Sequence, residues 1–184
     1  MEFEDLETFL ALPREMILHA PLPVPMVAGW MRVTPPAVKL MLARGTLQPI
    51  RLAGSEFVSA GSLKDWQVAF EADLLKARKA LVKVARKGGT LAYSDLLTRI
   101  GRDYANPGDR RRIGRLMVLL GETTLAEDGV LLPVAAISKQ TGLPKHGVWD
   151  LAERAGLYAP GKDTPEGFAE KHLKKLAKTY AKAK

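Results

Sequence analysis

The chain has 184 residues, of which 28 are Lys or Arg and 20 are Asp or Glu, so its formal net charge is +8. Its hydrophobic content of 47% allows a folded core, while the absence of cysteine excludes disulfides, thiolate catalysis and cysteine-ligated zinc. The excess of positive charge points to nucleic acid or another anionic surface as the partner.

The positive charge is unevenly distributed. Residues 1–70 hold 6 Lys/Arg against 7 Asp/Glu, a net of −1, whereas residues 71–184 hold 22 against 13, a net of +9. The N-terminus is acidic, and no run of about 18 apolar residues occurs. These features predict a cytoplasmic protein, associated with the nucleoid rather than with a membrane, whose second part attracts anions.

The first predicted domain, residues 1–66, follows the order helix, turn, helix, hairpin. One helix is predicted over residues 25–32 and a second over residues 34–44, because Thr34-Pro35 suits a helix start and Gly45 a helix end. A β-hairpin is predicted from residues 47–52 and 56–59. This order is that of a winged helix-turn-helix.

Residues 22–66 resemble the excisionase/MerR-type winged helix family. The matching positions are Val27, Ala28, Trp30, Met31, Val33, Thr34, Val38, Gly45, Leu47, Pro49, Gly54, Phe57, Leu63 and Trp66. The resemblance implies a second helix in the DNA major groove and a wing beside it. Thr34 and the cations Lys39, Arg44 and Arg51 are the candidate contacts. The apolar outer face of Pro36, Leu40 and Ala43 fits either thymine methyl groups or a protein partner.

A long helix is predicted over residues 62–87, connecting this domain to the rest of the chain. Ser62 suits its N-cap, and Gly88 and Gly89 end it. Leu75 and Val82 lie one heptad apart beside the main apolar stripe of this helix, which predicts a homodimer.

The sequence NPGDRRRIGRLMVLLG predicts an arginine-rich helix over residues 109–120, capped by Asp109. Helical periodicity turns one apolar stripe inward, places Arg111 and Arg115 outward, and leaves Arg110 and Arg112 on the flanks. Guanidinium groups match phosphates and guanine edges, so this helix is the main predicted DNA contact.

A second winged domain is predicted over residues 88–160. Ser94 suits the N-cap of a short helix after Tyr93, and a second hairpin is expected across residues 124–137, with its turn at residues 127–129. Beyond it, Lys139, Lys145 and His146 are candidate phosphate contacts. Residues 161–184 predict a basic helix that is either a phosphate-binding arm or a solubilising tail.

Residues 73–140 resemble the DNA-binding domain of alkylguanine-DNA alkyltransferases and alkyltransferase-like proteins. The matching positions are Tyr93, Asn106, Pro107, Arg111, Arg112, Ile113, Gly114, Leu116 and Pro133. The resemblance implies that Arg111 inserts into the duplex as a base is flipped. The acceptor cysteine of the family falls near Val134 and Ala135, so alkyl transfer is excluded.

The sequence therefore predicts a mainly α protein with small β-hairpin wings, in which two winged helix-turn-helix domains are joined by a long helix and followed by a basic C-terminal helix. Its predicted function is non-enzymatic binding of double-stranded DNA, as a regulator, recombination factor or nucleoid protein. The alternatives are an adaptor that docks a protein, or a cysteine-less sensor of distorted DNA. Neither an enzyme motif nor a metal or cofactor site is expected, since His19, His146 and His172 are far apart in sequence.

Overall fold

A computed structural model describes the backbone of residues 3–181 and the side chains of residues 6–145 and 147–181. The chain divides into two compact units, Met1–Glu71 and Ala72–Lys184, and is mainly helical in both. Residues 1–2 of the predicted first domain lie outside the described residues, as do residues 182–184 of the predicted basic tail. Within the described ranges, no helix has both the length and the apolar character needed to cross a bilayer.

The first unit places four helices and a small sheet before a long helix. In chain order these elements are α1 (Phe3–Ala11), α2 (Arg14–Ile17), β1 (Pro21–Pro23), α3 (Val24–Trp30), α4 (Pro35–Ala43), β2 (Pro49–Leu52), β3 (Ser55–Ser59) and α5 (Ala60–Ala85), which continues into the second unit. The three strands form an antiparallel sheet in the order β1-β3-β2. The core includes fully buried Leu6, Val27, Val38, Val58 and Leu63, which come from α1, α3, α4, β3 and α5.

The predicted hairpin is confirmed in β2 and β3. Its loop consists of Ala53 and Gly54, whose φ angles of 47° and 76° both lie in the left-handed region. Two such residues match the twist of the flanking strands, which is why a two-residue loop closes this hairpin. Arg51 and Glu56 face each other across the strands, so the wing carries a balanced pair of charges.

The second unit is built around a longer helix than the sequence predicted. Its elements are the end of α5, β4 (Leu91–Ala92), α6 (Tyr93–Arg99), α7 (Pro107–Asp128), a 3-10 helix (Leu132–Ala135), β5 (Ala136–Ile137), α8 (His146–Arg154) and α9 (Pro165–Ala181). Strands β4 and β5 pair in parallel. Ile113, Leu116 and Leu120 of α7 are buried, as the helical periodicity predicted.

The predicted second hairpin across residues 124–137 is wrong. α7 continues through Glu127 and Asp128 to a left-handed Gly129, and the following residues, 130–136, are buried. Thr124 makes this continuation favourable because its buried hydroxyl donates to Leu120 O at 2.9 Å and accepts from Leu132 N at 3.2 Å. Strand β5 therefore pairs with β4 instead of folding back on α7, and the second unit has no hairpin wing at this place.

A polar clasp of Arg78, Arg86, Asp128 and Tyr180 joins α5, α7 and α9. The Tyr180 hydroxyl donates to Asp128 Oδ2 at 2.7 Å, and Arg78 Nη2 lies 3.3 Å from the same oxygen. Arg86 Nε donates to the Tyr180 carbonyl at 3.1 Å. Burial and the Asp128 carboxylate raise the pKa of Tyr180, so its hydroxyl remains a donor.

His172 of α9 is a buried structural histidine. Its Nε2 accepts the Leu131 N–H at 2.9 Å, and its ring stacks on Phe168 with a centroid distance of 5.2 Å. Burial, with a smaller contribution from the charge of Lys175, lowers the pKa of His172 from 6.5 to about 4.

The neutral form of His172 makes a pH-dependent contribution to stability. The unfolded chain gains a proton at this residue below about pH 6.5, whereas the folded chain does so only near pH 4, so stability falls as the pH drops through this window. Lowering the pH from about 7 to about 5 should therefore reduce the free energy of unfolding by about 2 kcal/mol through the titration of His172. Urea unfolding at both pH values measures the loss, and His172→Gln should reduce it because an amide oxygen keeps the acceptor without titrating. An equal loss in both proteins would contradict this prediction.

Candidate nucleic-acid interface

The beginning of α7 is fixed by a tight network of short-range hydrogen bonds. Asn106, not Asp109, is its capping residue, because Asn106 Oδ1 accepts the Gly108 N–H at 2.7 Å. Asp109 instead accepts from the Asp103 N–H at 3.1 Å, and Asp103 accepts from the Ala105 N–H at 2.8 Å. The three consecutive arginines that follow therefore lie in the first two turns of a capped helix.

Arg112 faces inward, so its predicted place among the DNA contacts is corrected. Its Nε donates to Asp73 Oδ2 at 2.6 Å, and Arg102 donates to the same oxygen from Nε at 3.1 Å and from Nη2 at 3.0 Å. Asp73, on α5, is 3% exposed. Burial lowers the pKa of Arg112, while the Asp73 carboxylate opposes that shift. This charge cluster holds α7 against α5 and leaves Arg112 no freedom to reach a ligand.

Arg110 and Lys145 both lie close to the ring of an exposed tyrosine. The Arg110 guanidinium carbon is 5.9 Å from the centroid of the Tyr104 ring, and the Lys145 Nζ is 5.7 Å from it. Arg110 Nη1 also donates to the Tyr104 carbonyl at 3.2 Å. With 37% of Tyr104 exposed, the cluster presents two cations and an aromatic surface together.

Arg111 is exposed, and no hydrogen bond or ion pair holds its guanidinium among the residues that the structure describes. Arg115, one turn later, is only partly exposed, although the sequence predicted it to point outward. Burial, followed by the charge of Arg112, lowers the pKa of Arg115. Arg111 is therefore better placed than Arg115 to contact a ligand.

Three other predicted contacts of this unit have local structural roles. Tyr93 is 2% exposed, and its hydroxyl accepts the Lys145 N–H at 3.0 Å, with burial raising its pKa to about 12. Ser94 is not an N-cap, because α6 already begins at Tyr93; its hydroxyl donates to Asp95 Oδ1 at 3.0 Å. Lys139 Nζ is paired with the same carboxylate at 2.7 Å.

Lys139 is 65% exposed and remains available if Asp95 releases it. Tyr93 instead helps to position Lys145, whose Nζ lies 5.0 Å from the centroid of the Tyr93 ring. The side chain of His146 lies outside the described residues.

In the first unit, Thr34, Lys39, Arg44 and Arg51 are all exposed. Thr34 precedes α4 but makes no capping hydrogen bond with its side chain. The apolar face of Pro36, Leu40 and Ala43 is also exposed, with Leu40 at 42%. These cations are spread over α4 and β2, in contrast to the group around Tyr104.

Sequence reasoning missed two residues of this region. Tyr104 stands in the predicted turn, six positions before Arg110, and its aromatic side chain among polar neighbours was the available signal. Asp73 falls between Phe70 and Ala77 at helical spacing, so a carboxylate on the apolar stripe of α5 marked a buried partner for a distant cation.

The positions that the alkyltransferase resemblance assigns to the acceptor site are inaccessible to solvent. Val134 and Ala135 are fully buried in the 3-10 helix and carry no nucleophile. Across the described part of the chain, no three His, Cys, Asp or Glu side chains are grouped closely enough to hold a metal ion. Comparison with models of protein families, with curated proteins and with solved structures found no match to this chain.

Proposed function

We propose that the protein binds double-stranded DNA without catalysing a reaction on it, and that the surface of Tyr104, Arg110, Arg111 and Lys145 is the main contact. The observation that carries this proposal is the concentration of exposed cations around an exposed ring at the start of a 22-residue helix. Phosphates interact favourably with such cations and with a helix N-terminus, while an exposed aromatic ring packs against the sugars of the backbone.

The proposal includes a winged-helix mode of binding in the first unit. The connection between α3 and α4 has four residues, Met31 to Thr34, as is usual in helix-turn-helix proteins. The connection between α6 and α7 has seven residues, Ile100 to Asn106, and no hairpin follows α7 in the described residues up to 181. We therefore assign the N-terminal turn of α7, rather than a complete winged helix, as the contact of the second unit.

The experiment is a salt titration of binding to a labelled duplex of random sequence. If several phosphates are contacted, the logarithm of the affinity should fall linearly with the logarithm of the salt concentration, with a slope of roughly −0.9 per phosphate. Duplexes of equal length that contain a mismatch test whether Arg111 acts on distorted DNA. Absence of binding at low salt would contradict the proposed function.

A second candidate function is docking of a protein partner on the exposed face of Pro36, Leu40 and Ala43. Leu40→Asp separates the two uses of this face. Weaker DNA binding would assign the face to the duplex, whereas unchanged DNA binding would favour the adaptor function.

We also propose that two chains associate through α5. Of the predicted pair, Leu75 is 69% exposed, whereas Val82 is only partly exposed. Val68, one heptad before Leu75, is 58% exposed, so α5 displays apolar side chains at heptad spacing.

Leu75→Glu should weaken this association at least tenfold, because burial of a leucine contributes roughly 1.5–3 kcal/mol. Light scattering over a concentration series measures it. Lys76→Ala, which changes the net charge by the same amount, should leave the association unchanged. A wild-type protein that remains monomeric at the highest concentration would contradict the dimer.

A further inference from the structure

A cleft of about 760 Å³ runs along α9 in the second unit. The segment of residues 157–164 forms one wall and α9 forms the other, while Phe168 and the buried His172 line its inner surface. Its volume is in the range of ligand-binding pockets. The cleft is separate from the residues around Tyr104, none of which lines it.

Five lysines and one carboxylate line this cleft. The lysines are Lys162, Lys171, Lys174, Lys175 and Lys178, and the carboxylate is that of Asp163. Asp163 Oδ2 accepts the Ala159 N–H at 2.9 Å, so the carboxylate is engaged within its own loop. His172 adds no charge near neutral pH, since burial lowers its pKa to about 4. The cleft is thus strongly positive.

Four of these lysines form one row on α9, at positions i, i+3, i+4 and i+7. Like charges at these spacings destabilise a helix. Lys174 is offset by Glu170 at 2.7 Å, and Lys175 Nζ donates to the Gly129 carbonyl at 2.8 Å. Lys171 and Lys178, at the two ends of the row, are exposed. A row of this kind gains stability when an anion lies along it.

We propose that the lysine-lined cleft binds a chain of phosphate groups, with Lys171 and Lys178 as its outer contacts. Their separation of seven positions corresponds to a rise of about 10.5 Å along the helix. One strand of a duplex carries one phosphate per about 3.4 Å of duplex axis, so a duplex whose axis runs parallel to α9 presents roughly three phosphates of that strand over this length. A nucleic-acid backbone and a free polyphosphate share this chemistry. The inference does not depend on the proposed function of α7.

Inorganic tripolyphosphate is the probe, measured by calorimetry on the full chain. Lys171→Glu with Lys178→Glu should weaken its binding at least tenfold. The matched control is Lys76→Glu with Lys83→Glu, which places the same charge change at the same spacing on exposed positions of α5. The control should alter the affinity less than threefold. The neutral pair Lys171→Gln and Lys178→Gln, which avoids charge reversal, should also weaken binding.

Absence of tripolyphosphate binding to the wild-type protein, or equal weakening in the cleft variant and the control, would overturn the proposal. Saturating the protein with a short duplex then distinguishes the two sources of phosphate. Loss of tripolyphosphate binding on the DNA-loaded protein assigns the cleft to a nucleic-acid backbone, whereas unchanged binding assigns it to a free polyphosphate.

Discussion

Asp73→Ala should lower the free energy of unfolding by about 3–5 kcal/mol, the usual effect of removing one partner of a buried ion pair. The substitution leaves Arg112, whose side chain is 11% exposed, without the carboxylate that lies 2.6 Å from its Nε. Arg102 loses its contacts with the same oxygen. Urea unfolding followed by circular dichroism measures the change.

Glu71→Ala, an exposed carboxylate two residues earlier on α5, is the control and should have little effect. Adding Arg112→Met to Asp73→Ala should restore part of the stability, since an apolar side chain of similar length needs no buried counter-ion. If Asp73→Ala unfolds like the wild-type protein, the cluster does not hold α7 in the way described.

The double substitution Arg110→Ala with Arg111→Ala should weaken DNA binding at least tenfold. It should also reduce the slope of the salt dependence by about two, one for each lost phosphate contact. Both residues are exposed, so the melting temperature should change little. Anisotropy titrations at several salt concentrations give the affinity and the slope together.

The matched control for this pair is Lys76→Ala with Lys83→Ala, which removes the same charge from exposed positions of α5. We expect it to change the affinity less than threefold, because neither lysine belongs to the surface around Tyr104 or to the first unit's helix-turn-helix. Equal losses in the two double variants would indicate that total charge, rather than the surface around Tyr104, determines binding.

The sequence located most helices because proline and glycine mark their ends. Pro35, Pro107 and Pro165 each stand in the first turn of a helix, and Gly45, Gly88 and Gly129 adopt left-handed conformations just beyond helix ends. Local residues decide these features, so a local pattern was sufficient to predict them.

The course of the chain after residue 120 could not be predicted in this way. Thr123 and Thr124 have low helix propensity, and the acidic pair before Gly129 suits a turn. Together these features favoured a hairpin. The buried hydrogen bonds of Thr124 reverse this preference, and they involve Leu132, eight positions away. The orientation of the arginines has a similar cause, because Arg112 is directed inward by Asp73, 39 residues earlier.

The clasp at Tyr180 also has a consequence for how the chain is made. Asp128 leaves the ribosome 52 residues before Tyr180, which corresponds to roughly 3–10 s of synthesis. Until His172 is made, 41 residues after Leu131, the Leu131 N–H lacks this acceptor, and the apolar surface that α9 covers is open to other proteins. The second unit therefore closes late, and its nascent form is the state in which chaperones or aggregation can intervene.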